Sequence, residues 1–76
     1  MNIQTLKTNH YSMWLDLVAI YEIREVSQVV EFDKLLNGFL EGSRWSSFTF
    51  DDTYTYGRMR KDWTFFIEGV WWALNN

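Results

Sequence analysis

The sequence predicts a mostly helical domain of three helices, at about 10–25, 28–41 and 58–74, with an aromatic hairpin or extended loop at 45–57. Three observations carry that prediction. Apolar side chains recur at a period near 3.6 residues in the first and last of these stretches and form a broad stripe in the middle one. Gly42 follows the last apolar residue of the middle stretch, where a helix C-terminal cap belongs. Between Ser43 and Gly57 the pattern changes to alternating aromatic and polar residues, the period of a strand. The 76 residues suffice for one small domain, 1–76, and the absence of proline leaves long regular elements possible.

In the first stretch Trp14, Leu17, Val18 and Tyr21 fall at i, i+3, i+4 and i+7, one helical face. Leu15, Ile20 and Ile23 lie off that face. The run from Leu17 to Ile23 also has the β-branched richness of a buried strand. An α+β alternative therefore stands, with a strand at 14–24 pairing with the hairpin. In the second stretch Ser27 can cap the helix. Val29, Val30, Leu36 and Leu40, with Phe32, Leu35 and Phe39 beside them, supply the apolar stripe, and Glu31 near the start suits the helix dipole. In the hairpin segment Phe48, Phe50, Tyr54 and Tyr56 share one face if the turn is Asp51-Asp52-Thr53. That turn lacks the glycine a three-residue hairpin usually places in the left-handed position, so an extended loop competes with it. In the last stretch Met59, Trp63, Phe66, Ile67, Val70, Ala73 and Leu74 form a core-facing side, with Lys61 and Glu68 opposite and Asp62 in the early turns.

The composition narrows the function. There are no cysteines, which removes disulfides, thiolate catalysis and Cys-ligated zinc together and favours a reducing cytoplasm. The N-terminal segment carries no apolar run fit for a signal peptide, and no stretch approaches the ~20 apolar residues of a membrane span. Seven basic against ten acidic residues give a net charge of −3, which argues against nucleic-acid binding by phosphate neutralisation. The acids are spread along the chain with no dense block. His10 is the only histidine, no pattern around it supports a catalytic triad or a zinc site, and the four glycines form no phosphate-cradling loop. The sequence predicts no enzyme activity, no metal and no cofactor.

What stands out is a second apolar strip. Phe65 and Trp72 are seven residues apart, off the core face, with Gly69 between them on nearly the same side. A glycine inside a helix costs about 1 kcal/mol relative to alanine, so its presence asks for a reason. Either another element of the fold covers this strip, or it is an exposed patch for a partner. Trp45, Phe48, Phe50, Tyr54 and Tyr56 pose the same choice between sheet face and binding surface. Arg58, Arg60 and Lys61 are the one basic cluster, either a solvated helix entrance or an anchor for an acidic partner. The expected partner-binding set is Phe65, Trp72, Trp45, Tyr54, Tyr56, Arg58, Arg60 and Lys61.

The stretch from Phe32 to Leu74 resembles small uncharacterised proteins encoded by tailed bacteriophages. In those a short helix leads through a polar or aromatic loop to a tyrosine and then to a C-terminal helix of the form W-x-x-[FW]-x-x-[GA]-[WY]. The matching residues are Tyr56, Trp63, Phe66, Gly69 and the nearby Trp71 and Trp72, the last aromatic falling one or two places later than in that pattern. The resemblance implies an accessory protein that acts in the bacterial cytoplasm without catalysis, an inhibitor that occludes a host defence or housekeeping protein, as anti-CRISPR proteins do. The alternative is a self-associating accessory protein that uses the same aromatic strip as a homodimer interface.

Overall fold

The computed structural model describes residues 2–26, 31–42, 45 and 53–75. Within them lie four helices, α1 (Ile3–Asn9), α2 (Tyr11–Ile23), α3 (Phe32–Glu41) and α4 (Thr53–Leu74), and no strand. The mostly helical class is therefore correct, while the number and bounds of the helices differ from the sequence-based expectation.

The first helix is additional. The Asn2 side chain accepts the Thr5 backbone N–H at 2.8 Å, an N-cap bond, and Lys7 in the last turn suits the dipole. Leu6 is fully buried and Ile3 packs half-buried against the core, which anchors the element. His10 joins α1 to α2. Its N–H donates to the Leu6 carbonyl at 2.9 Å, and its own carbonyl accepts from Met13 and Trp14 at 3.0 and 3.1 Å.

The strand alternative at 14–24 is overturned, because these residues form α2. Leu17 and Tyr21 are buried and Trp14 and Val18 half-buried, whereas Leu15 and Ile23 are exposed. A four-residue spacing of inward side chains satisfies a helix, and in a strand Leu17 would face away from Trp14 and Val18. The helical face thus overrides the β-branched composition. The helix closes at Arg24, and Glu25 adopts a left-handed backbone with φ of 59°, the position where helices usually place glycine. This turn carries Val26 back into the core.

The α3 helix begins at Phe32, not at 28. Glu31 is extended, with φ −68° and ψ 145°, so the helix cannot run back through it. The expected Ser27 cap and the core positions Val29 and Val30 lie outside the described residues. Leu36, Phe39 and Leu40 are buried, and Phe32 and Leu35 pack against them. Gly42 ends the helix as the sequence indicates, its N–H donating to the Gly38 carbonyl at 2.9 Å. A Cβ there would sit 3.0 Å from that carbonyl oxygen, which is a close-approach reason for glycine.

The largest correction concerns the hairpin. Residues 53–57 are the first turns of α4, so Tyr54 and Tyr56 lie on a helix; residues 46–52 are outside the described set. The reason is legible afterwards: Tyr56, Met59, Trp63, Phe66, Ile67 and Val70 already run at helical spacing, so the inward stripe of α4 extends back to Tyr56. Trp63 is the centre of the molecule. It is fully buried, its ring meets Phe32 and Phe39 edge-on at 5.9 and 5.3 Å and stacks on Phe66 at 5.7 Å, and its Nε1–H donates to the Leu17 carbonyl at 3.1 Å. The α1 helix packs on α2 and α3, and α2 packs on α4. At ~1.5 Å per residue the 22 residues of α4 span about 33 Å, close to the long 37 Å dimension of the molecule. Its C-terminal end outruns the core. Ala73 and Leu74, expected inside, are consequently exposed.

Candidate protein-binding surface

The C-terminal half of α4 presents its second strip to solvent. Phe65 is 62% and Trp72 64% exposed, against 0% for Trp63 and Ile67 on the other side of the same helix. Seven residues set the two rings about 10 Å apart along the axis. Trp71 and Leu74 add further exposed apolar area at the same end, a contribution the sequence reading had not counted. Beside Gly69 and Trp72 the surface is indented, with Phe65 outside the lining. Arg24, Glu68, Gly69, Trp71 and Trp72 line an open cavity of about 360 Å³. The Arg24 guanidinium donates to Glu68 Oε1 at 2.6 Å and ties the end of α2 to this region of α4.

Gly69 supplies the notch. A Cβ built there meets no atom within 4 Å. The fold therefore imposes no steric need for glycine at this position, and the cost of ~1 kcal/mol in helix propensity is not repaid by internal packing.

The rest of the expected set divides. Trp45 is only 2% exposed and its Nε1–H donates to Asp62 Oδ2 at 2.8 Å, so it is a core side chain and not a surface anchor. Asp62, the tenth residue of α4 instead of an early-turn one, holds the Trp45 ring in the core. Tyr56 is half-buried and its hydroxyl donates to Asp16 Oδ2 at 2.6 Å. Arg60 Nε donates to the same oxygen. Both residues join α4 to α2 through Asp16; Tyr56 is half-buried there, while Arg60 stays exposed. Arg58 and Lys61 are exposed. They stand well inside α4, because the helix starts at Thr53 and not beside them. Tyr54 belongs to α4, and its side chain lies outside the described residues.

The Asp16 cluster has its own electrostatics. Burial pushes the Asp16 carboxyl up, but the hydrogen bonds from Tyr56 and Arg60 and the Arg60 charge outweigh it and hold the carboxyl below its ordinary range. Burial, the hydrogen bond to Asp16 and the Asp16 charge push the Tyr56 phenol well above its usual value. The hydrogen bond to Asp16, then its charge, raises Arg60.

His10 lies in the α1–α2 junction, and its side chain makes no cap bond to α2. Among the described residues no three His, Asp or Glu side chains converge to hold a metal ion, and no helix is long and apolar enough to cross a membrane. No family model, curated protein or solved structure matches the chain.

Proposed function

We propose that this chain is a non-enzymatic binding protein that docks a protein partner through the outward strip of α4. The observation that carries the reading is the exposure of Phe65 and Trp72, one heptad apart on the outward side of α4 with Gly69 between them in sequence. Aromatic side chains are the commonest energetic anchors of protein interfaces, and a protein this small has little reason to leave two of them in water unless they are covered in use. A partner side chain entering above Gly69 would be flanked by both rings, with Trp71 extending the contact.

The resemblance to small tailed-phage proteins supports a more specific role. The chain acts in the bacterial cytoplasm as a phage-encoded inhibitor of a defence or housekeeping protein, by covering a surface that the target needs. Quantitative capture from bacterial lysate tests this with the wild-type chain and the Phe65→Ala/Trp72→Ala variant. One host protein enriched by the wild type and lost with a folded variant supports the reading. Enrichment that survives the double substitution contradicts it. Light scattering down to low micromolar concentration addresses the rival: a persistent dimer broken by the same substitutions would make a second copy the partner.

A further inference from the structure

A second concavity lies away from the α4 strip. It is a groove of about 360 Å³ whose walls come from α1, from α2 and from the start of α3, with no residue of α4 among them. Its floor is aromatic. Phe32 lies edge-on to Trp14 at 5.7 Å and tilted against Tyr21 at 5.3 Å. Its rim is acidic, with Glu22, Glu31 and Asp33 around those rings. Among the described residues Lys7 is the one cation lining it. Its ammonium stands 4.9 Å from the centroid of the Trp14 ring and 3.8 Å from Asp33 Oδ2. The protein thus already places one alkylammonium group on an indole face beside a carboxylate, the arrangement by which aromatic cages hold cations. Among the described residues three carboxylates face one ammonium, an excess of negative charge. Tyr21 registers that field: burial raises its phenol, and the charges of Glu31 and Glu22 raise it further.

We propose that this groove binds a lysine side chain presented by a protein partner, its ammonium set on the aromatic floor of Trp14, Phe32 and Tyr21 beside the carboxylates of Glu22 and Glu31. The occupant is argued from charge and from the resident stand-in. An apolar side chain would gain the rings but not the attraction of the carboxylates, and an anion would be repelled. The groove is also open to solvent, which suits a side chain held by a larger molecule better than a free amine that must be enclosed on its own. The inference is independent of the α4 strip, with which the groove shares no residue.

The test is a titration of the whole ¹⁵N-labelled chain, read at the Trp14 indole signal identified by loss in Trp14→Phe. The probes are acetyl-Gly-Lys-Gly-amide, its norleucine counterpart and choline, at constant ionic strength. The lysine peptide is expected to give a saturable shift at millimolar concentration and the norleucine peptide none. Glu31→Gln is expected to weaken binding. Lys7→Ala, which vacates the ring and adds negative charge, is expected to tighten it by about threefold or more. Equal shifts from both peptides, or no saturable shift up to about 100 mM, overturn the proposal on the wild-type chain alone. Choline binding more tightly than the lysine peptide overturns the assignment to a protein side chain.

Discussion

Removing the rings of Phe65 and Trp72 should cost the fold little, and removing Trp63 should cost it most of its stability. Each of the outer rings retains little more than a third of its side chain in contact with the protein, since they are 62% and 64% exposed. Full burial of a large apolar side chain is worth about 1.5–3 kcal/mol, so each ring contributes on the order of 1 kcal/mol. Alanine returns about half of that through its better helix propensity. The Phe65→Ala/Trp72→Ala variant should therefore lose about 1 kcal/mol in total. Trp63→Ala empties the centre of the core and should lose about 3–5 kcal/mol. A chain of this length has on the order of 4–11 kcal/mol to lose, so the Trp63 variant will be marginal or unfolded. Urea unfolding followed by far-ultraviolet circular dichroism measures both. A loss of about 3 kcal/mol or more in the double variant would refute the argument, because rings that cost so much are part of the interior.

Four further outcomes follow from single features. Gly69→Ala adds a methyl group where nothing lies within 4 Å, so thermal unfolding should show a gain of about 1 kcal/mol, while partner capture falls because the notch is filled. Glu25 occupies a left-handed backbone position that disfavours a side chain, so Glu25→Gly should stabilise by about 0.5–1 kcal/mol in urea titration; a loss would show that its φ is not what limits the turn. The Asp16 carboxyl titrates below its unfolded value, so its contribution is present above about pH 4 and disappears as the pH falls through the folded value. Acid titration of stability should therefore show a shallower decline below pH 4 in Asp16→Asn than in the wild type. The raised Tyr56 phenol acts in the opposite direction: its contribution is complete below about pH 10 and is lost above it, so Tyr56→Phe should flatten the alkaline limb.

Much of the interior could be read from spacing. Leu17 and Tyr21 on α2, the Leu36–Phe39–Leu40 face of α3 and the Met59–Trp63–Ile67 face of α4 were all expected from the helical period, and all are buried. The outward direction of Phe65 and Trp72 followed from the same arithmetic, with exposure itself left open between solvent and a covering element. The failures share a cause. Tyr54 and Tyr56 alternate with threonines, and two aromatic positions cannot distinguish a period of 2 from the end of a longer helical stripe. The stripe wins because Tyr56 gains a hydroxyl bond to Asp16 on α2, a contact 40 residues away in sequence. Trp45 gave no periodic signal at all; its burial depends on Asp62 accepting its indole N–H, and such a pair becomes visible only once the chain is folded. The first helix was missed because seven residues with one buried leucine make almost no pattern, and its start rests on the Asn2 cap.

The central claim is that recognition runs through the α4 strip, and calorimetric titration of a captured partner tests it most directly. Against that partner the Phe65→Ala/Trp72→Ala variant, shown to be folded, should bind at least about 30-fold more weakly than the wild type, the loss of about 2 kcal/mol that marks an interface anchor. An affinity unchanged by the loss of both rings would contradict the account.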